Sequence, residues 1–191
     1  MGDGRVLFQE FLRAPTRVAT VTASSDALVT AMLAPHRLDG PRVVVELGAG
    51  TGRVTGALQG HLRGTGRHIA VEINPVLAER LADRHPGVTV VRADAARLPA
   101  VLGEHGVDRA DAIVSLLPWA AYAAAPVPRL VADALAPSGT FTQATLRGFH
   151  LLAPARRQAE DLRAAFGSLT ASPTVWRNLP PARVLIGREP H

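Results

Sequence analysis

From Pro41 onward, short apolar runs rich in β-branched residues alternate with segments patterned as helices, and this alternation restricts the fold more than any other feature. The strand readings are Val43–Leu47, His68–Glu72, Val88–Arg92, Asp111–Leu116, Thr140–Ala144, Ala171–Arg177 and Ala182–Gly187. Between them lie helical patterns around Arg53–His61, Pro75–Arg84, Pro128–Leu135 and Ala155–Phe166. Pro75 suits a first helical turn, where a missing N–H costs nothing. Such alternation predicts an α/β fold, a doubly wound seven-stranded sheet with helices on both faces. The link Asn178-Leu179-Pro180-Pro181 is too short for a crossover helix, so the last strand is expected to run antiparallel. Residues 41–191 therefore read as one domain. Residues 1–40 read as a helical extension or lid: Leu7, Phe8, Phe11 and Leu12 share a face, as do Leu28, Val29, Met32 and Leu33 after a capping Ser24-Ser25.

The most informative stretch is Val43-Val44-Val45-Glu46-Leu47-Gly48-Ala49-Gly50-Thr51-Gly52. Glycines directly after a buried strand permit a tight turn and a close approach of backbone N–H groups to a ligand. A P-loop would need a lysine, and all 21 basic residues of this chain are arginine. A dinucleotide fingerprint would put its third glycine where Arg53 stands. The second strand ends in Glu72, placed to accept both hydroxyls of a ribose, and the third is followed by Asp94, placed to reach an adenine amino group. Acids at successive strand ends select an adenosine-bearing ligand.

These stretches, with Val71-Glu72 and Ala93-Asp94-Ala95, resemble the cofactor motifs of class I S-adenosylmethionine-dependent methyltransferases, whose sheet is Rossmann-like. The resemblance implies S-adenosyl-L-methionine as cofactor. It implies that Glu46, Gly48, Gly50 and Gly52 face its methionine portion, Glu72 its ribose and Asp94 its adenine, with Ile73 and Ala95 also among the cofactor-binding residues. A finer likeness covers Phe8–Ser25, Val71–Pro75, Ile113–Pro118, Phe141–Thr145 and Trp176–Ala182. These look like bacterial phospholipid N-methyltransferases, which methylate phosphatidylethanolamine at the inner membrane face, and share part of their pattern with rRNA adenine dimethyltransferases. At the fourth strand an adenine enzyme carries Asn-Leu-Pro-Tyr, whereas this chain has Leu116-Leu117-Pro118-Trp119. The missing amide argues against base methylation, and no nucleic-acid partner is expected. Leu116 also replaces the small glycine usual in the phospholipid enzymes.

On this resemblance the expected function is transfer of a methyl group to a phospholipid amine. A diffusible metabolite is the alternative acceptor, and a protein that binds the cofactor without methyl transfer stays open. The candidate catalytic residues are Ser115, Trp119 and Tyr122, the two rings offering faces to a developing ammonium. His36, His150 and Asp111 are unranked candidates for a general base. No metal site is expected, and the absence of cysteine excludes disulfides and thiolate zinc ligation.

The net charge of +5 fits either GC-rich coding or an anionic partner. An arginine-flanked helix over Arg5–Arg13 could lie on an anionic bilayer or close over the site as a lid. The first 25 residues lack the apolar core of a signal peptide. The most apolar stretch, Ala112–Ala125, is too short to span a bilayer. The expected location is cytoplasmic, peripheral on the inner membrane at most.

Overall fold

The computed structural model describes residues 24–40, 42–147 and 153–191. The elements run α1 Asp26–Leu33, β1 Val43–Leu47, α2 Arg53–Leu62, β2 Arg67–Glu72, α3 Pro75–Arg84, β3 Thr89–Arg92, α4 Leu98–Glu104, β4 Ala110–Ser115, α5 Trp119–Ala124, α6 Val127–Ala134, β5 Leu135–Leu146, α7 Ala153–Ala165, β6 Phe166–Ala171 and β7 Ala182–Pro190. The strands form one sheet in the order β3-β2-β1-β4-β5-β7-β6. Strand β7 is antiparallel to both neighbours, and the other pairings are parallel. The strand order reverses between β1 and β4, which opens a crevice beyond their carboxyl ends.

Two apolar layers hold the sheet. On one face Val45, Leu47, Ile69, Val71, Ile113 and Phe141 pack against the buried sides of α4, α6 and α7. On the other, Val44, Ala112, Val114 and Val184 meet Leu28, Met32, Val54, Leu58 and Leu62 from α1 and α2. Burial on both faces explains why β1 and β4 read as continuous apolar runs. The N-terminal cap forms as the sequence requires: Ser25 Oγ accepts from Leu28 N, and Leu28, Val29, Met32 and Leu33 are all buried. The helical reading of Arg5–Arg13 lies outside the described residues.

Three departures from expectation stand out. The sixth strand is Phe166–Ala171, not Ala171–Arg177. Thr174-Val175-Trp176 has the right composition, but Pro173 interrupts it, and only Val175 bridges to Ala182. Phe166 instead stacks on Phe141 at a 5.6 Å centroid distance, so burial draws the strand upstream to the end of the helix. The fifth strand begins at Leu135, not Thr140, and its pairing with β4 is irregular where the register jumps from Ala110↔Leu135 to Ala112↔Thr140. Helix α4 was not foreseen; Leu98, Val101 and Leu102 bury its one apolar side.

Candidate cofactor and acceptor site

The carboxyl ends of β1, β2, β3 and β4 share one rim of the sheet. At its centre the β1–α2 loop carries Gly48 at φ +73°, Gly50 at φ +57° and Gly52 at φ +86°, all left-handed. Gly48 N–H donates to Val71 O at 2.8 Å, which carries the β1–β2 pairing into the turn. A Cβ on Gly52 would lie 2.6 Å from Leu81 Cδ1, and one on Gly48 3.2 Å from Leu117 Cδ2. The loop therefore fits tightly between α3 and the exit of β4.

Glu72 ties this loop to the next. Its Oε2 accepts from Gly50 N–H at 2.8 Å and its Oε1 from Asn74 N–H at 2.9 Å. Burial pushes its carboxyl above the ordinary value, and the donated backbone N–H groups pull partly the other way. Beside it Ile73 is 37% exposed, an apolar side chain left at the rim. Asn74 caps α3 through Val76 N and Leu77 N, with Pro75 in the first turn as expected. Asp94 is exposed; its Oδ1 accepts from Ala96 N–H at 2.8 Å and caps the short turn that begins at the buried Ala95. Capping does not exhaust a carboxylate, which has about four acceptor positions.

Glu46 occupies a different place. It is fully buried under the loop, where Oε2 accepts from Thr55 Oγ1 at 2.7 Å and lies 3.2 Å from His68 Nε2. Gln59 meets the other His68 nitrogen at 3.1 Å. Among the described residues Glu46 Oε1 has no hydrogen-bond partner, an acceptor left over at the base of the glycine turn. Left-handed glycines, a carboxylate beside an exposed apolar side chain, and an orphaned acceptor at the loop's base together fit S-adenosylmethionine.

The acceptor side holds a buried polar chain. Ser115 Oγ is 3.0 Å from Tyr122 OH and accepts from Leu117 N–H at 3.3 Å. Tyr122 OH donates to Gln143 Oε1, and Gln143 Nε2 donates to Leu117 O at 3.0 Å and to Ala144 O at 2.7 Å. Burial drives the Tyr122 phenol far above its usual range. Ser115, Tyr122 and Gln143 are thus buried and joined in one hydrogen-bonded chain that reaches the Leu117 backbone through Ser115 and Gln143. Gln143 was missed as a site residue because its partners lie far away in sequence; only its place in a recognised stretch hinted at it. Trp119 opens α5, but its side chain lies outside the described residues.

Two general-base candidates are misplaced. Asp111 sits at the amino end of β4, accepting from Val43 N–H at 2.8 Å and from Arg42 at 3.3 Å, across the sheet from the rim. His36 is buried against Thr142 Oγ1 at 2.9 Å, and burial, with help from Arg188, lowers its pKa to about 4. It serves packing. His150 lies outside the described residues.

Residues 44–139 match a family model described as a methyltransferase domain. Across nearly its whole length the chain is 32% identical to the ornithine lipid N-methyltransferase of Singulisphaera acidiphila, covering 95% of this chain and 94% of that protein. The chain belongs to the methyltransferase family. The fold of this methyltransferase recurs in solved structures of low identity. Thermus thermophilus TrmN superposes with a TM-score of 0.66 at 20% identity over 85% of this chain and 48% of its own, so the chain spans about half its length. Human methyltransferase-like protein 13, solved in complex with SAH, gives 0.62 at 19% identity over 85% of this chain and 78% of its own.

Proposed function

We propose that this methyltransferase uses S-adenosylmethionine to methylate the amine of a membrane lipid. The observation that carries this reading is the end-to-end likeness to a protein named ornithine lipid N-methyltransferase. When bound, the cofactor supplies an electrophilic methyl on a sulfonium, so the acceptor needs a free nitrogen lone pair more than a strong base. The chain's contribution is placement. The glycine loop and Glu72 hold the cofactor end of the rim, and Leu117, pinned through Gln143 and packed against Gly48, fixes the distance to the acceptor end. The exit of β4 is lined by the half-buried Leu116, Leu117 and Pro118, which exclude water and favour an uncharged amine. The bound cofactor would supply the methyl with its sulfonium as the leaving group, and the methylated amine would give its proton to solvent.

Leu116 supports a restricted acceptor, since it packs into the apolar layer beside α1 and fills space that a glycine would leave open. Among the described residues, no helix is long and apolar enough to cross a membrane. The test is incubation with methyl-labelled cofactor and vesicles containing phosphatidylethanolamine or an ornithine-headed lipid. Label should move into the organic-soluble fraction. Label confined to water-soluble products would favour a diffusible acceptor and overturn the lipid reading.

A further inference from the structure

The segment between β6 and β7 carries two large apolar side chains in solvent: Trp176 is 63% exposed and Leu179 74%. This exposure does not come from a loosely held loop. Val175 exchanges backbone hydrogen bonds with Ala182, Ser172 Oγ accepts from Val184 N–H, and Arg147 N–H donates to Pro181 O at 2.7 Å. Between the two exposed residues, Asn178 is buried; its Oδ1 accepts from Ser25 N–H at 3.0 Å and its Nδ2 donates to Pro180 O at 2.8 Å. The fold thus pins the loop from beneath while presenting a tryptophan and a leucine outward. Water is a poor environment for both.

The surroundings are cationic. The Arg147 guanidinium lies 4.6 Å over the Trp176 ring, and Arg147, Arg177 and Arg183 are all exposed. The sequence from Leu162 to Arg188 contains no acidic residue, nor does that from Ala134 to Ala159. The loop also has a functional address. It joins the end of β6 to the start of β7, opposite Leu146 at the end of β5, so it lies on the same rim as Gly48, Glu72 and Leu117. Its bond to Ser25 sets the start of α1 beside it.

We propose that this loop docks the rim of the sheet onto an anionic phospholipid bilayer, with Trp176 and Leu179 entering the headgroup–acyl boundary and Arg147, Arg177 and Arg183 meeting lipid phosphates. A tryptophan with an amphipathic ring, an aliphatic anchor and several arginines drawn from acid-free stretches of the sequence match that interface in polarity and charge. The purpose of the contact rests on the lipid-acceptor reading: it would bring the open end of the site to the lipid amine without extracting the lipid.

The full chain is tested on vesicles of phosphatidylglycerol and phosphatidylcholine, with phosphatidylcholine alone for comparison. The chain has two tryptophans, so a W119F background leaves Trp176 as the reporter. Its emission should move to the blue and be quenched by lipids brominated along the acyl chain, in the anionic vesicles above all. In flotation, the W176A/L179S double variant should partition at least about tenfold less than the parent. R177A should lose about fivefold, with the loss shrinking at high salt. Both variants should keep the parent's melting temperature and affinity for S-adenosylhomocysteine, because the altered side chains are exposed. Unquenched Trp176, or a double variant that floats like the parent, overturns the proposal and moves any membrane contact elsewhere. Phosphatidylethanolamine-containing anionic vesicles that the unmutated chain binds through the loop but leaves unmethylated would preserve it while refuting phosphatidylethanolamine as the acceptor.

Discussion

Glu72 shows how one side chain sets both the geometry and the pH response of the rim. Its two oxygens accept from two different loops, so an amide at this position could satisfy only one of those N–H groups and would oppose the other. Glu72→Gln should weaken S-adenosylmethionine binding about tenfold to a hundredfold by calorimetry, the range for lost hydrogen bonds to a charged group. In the parent, affinity should fall on acidification at a pH above the ordinary carboxylate value, because burial raises this carboxyl and protonation removes an acceptor. In the variant that dependence should vanish. His36 titrates in the opposite sense as a matter of stability. The folded chain keeps it neutral down to about pH 4, whereas an unfolded chain takes up its proton near 6.5. In that window the unfolded state binds more protons, so stability is lost as pH falls from 6.5 towards 4, by roughly 3 kcal/mol at most. Glu72, with its raised carboxyl, binds its proton more readily when folded, which favours the fold as pH drops and offsets part of the loss. Comparing urea melts of the parent and His36→Gln across this range isolates the histidine, and the variant should show the flatter curve.

At the scale of elements, the acceptor strand is defined by what lies behind it. The exit of β4 bears no strong acid or base, and its shape depends on Gln143 from β5 donating to Leu117 O while accepting from Tyr122. Gln143→Glu keeps the acceptor for Tyr122 but loses the donor, leaving Leu117 O without its partner in the network. Methyl transfer should drop at least about tenfold in kcat while cofactor affinity changes by no more than about twofold. A variant that loses both equally would reduce Gln143 to a stability role. This contrast also explains which parts of the fold were legible. The β1–loop–α2 unit could be read from sequence because its causes are local: a buried strand, glycines at left-handed positions, then a helical pattern. Glu72 and Asp94 were legible for the same reason, each standing at the end of its own strand. Gln143 was not, since its value comes from a tyrosine on α5 and a carbonyl in the loop after β4. Strand β6 was misplaced because Phe166 finds its partner, Phe141, in a different strand, and that contact outweighs the β-propensity of Thr174–Trp176.

For the whole molecule, the site has no scaffold of its own apart from the sheet. On the proposed reading, the residues that would face the cofactor come from the ends of β1, β2 and β3, and those that would brace the acceptor come from β4, α5 and β5. The three left-handed glycines are costly to order, and Glu72 is the cross-link between two of these turns. A ligand that touches several turns at once is therefore coupled to global unfolding rather than to one loop. Binding to the folded chain alone stabilises it by about 2.7 kcal/mol when ligand is at a hundred times its Kd. For a chain of 191 residues this corresponds to a rise in melting temperature of about 5–11 °C. S-adenosylhomocysteine should produce that shift in a single cooperative transition. Gly52→Ala should abolish most of it at equal ligand concentration, because its Cβ would collide with Leu81 in a backbone conformation that alanine disfavours. A separate early transition that alone responded to ligand would mean that the rim melts independently of the sheet. The closeness of Leu117 to Gly48, where an added Cβ would lie 3.2 Å from Leu117 Cδ2, argues against that outcome: the glycine loop and the exit of β4 are packed together, so the two halves of the site should fold and melt as one.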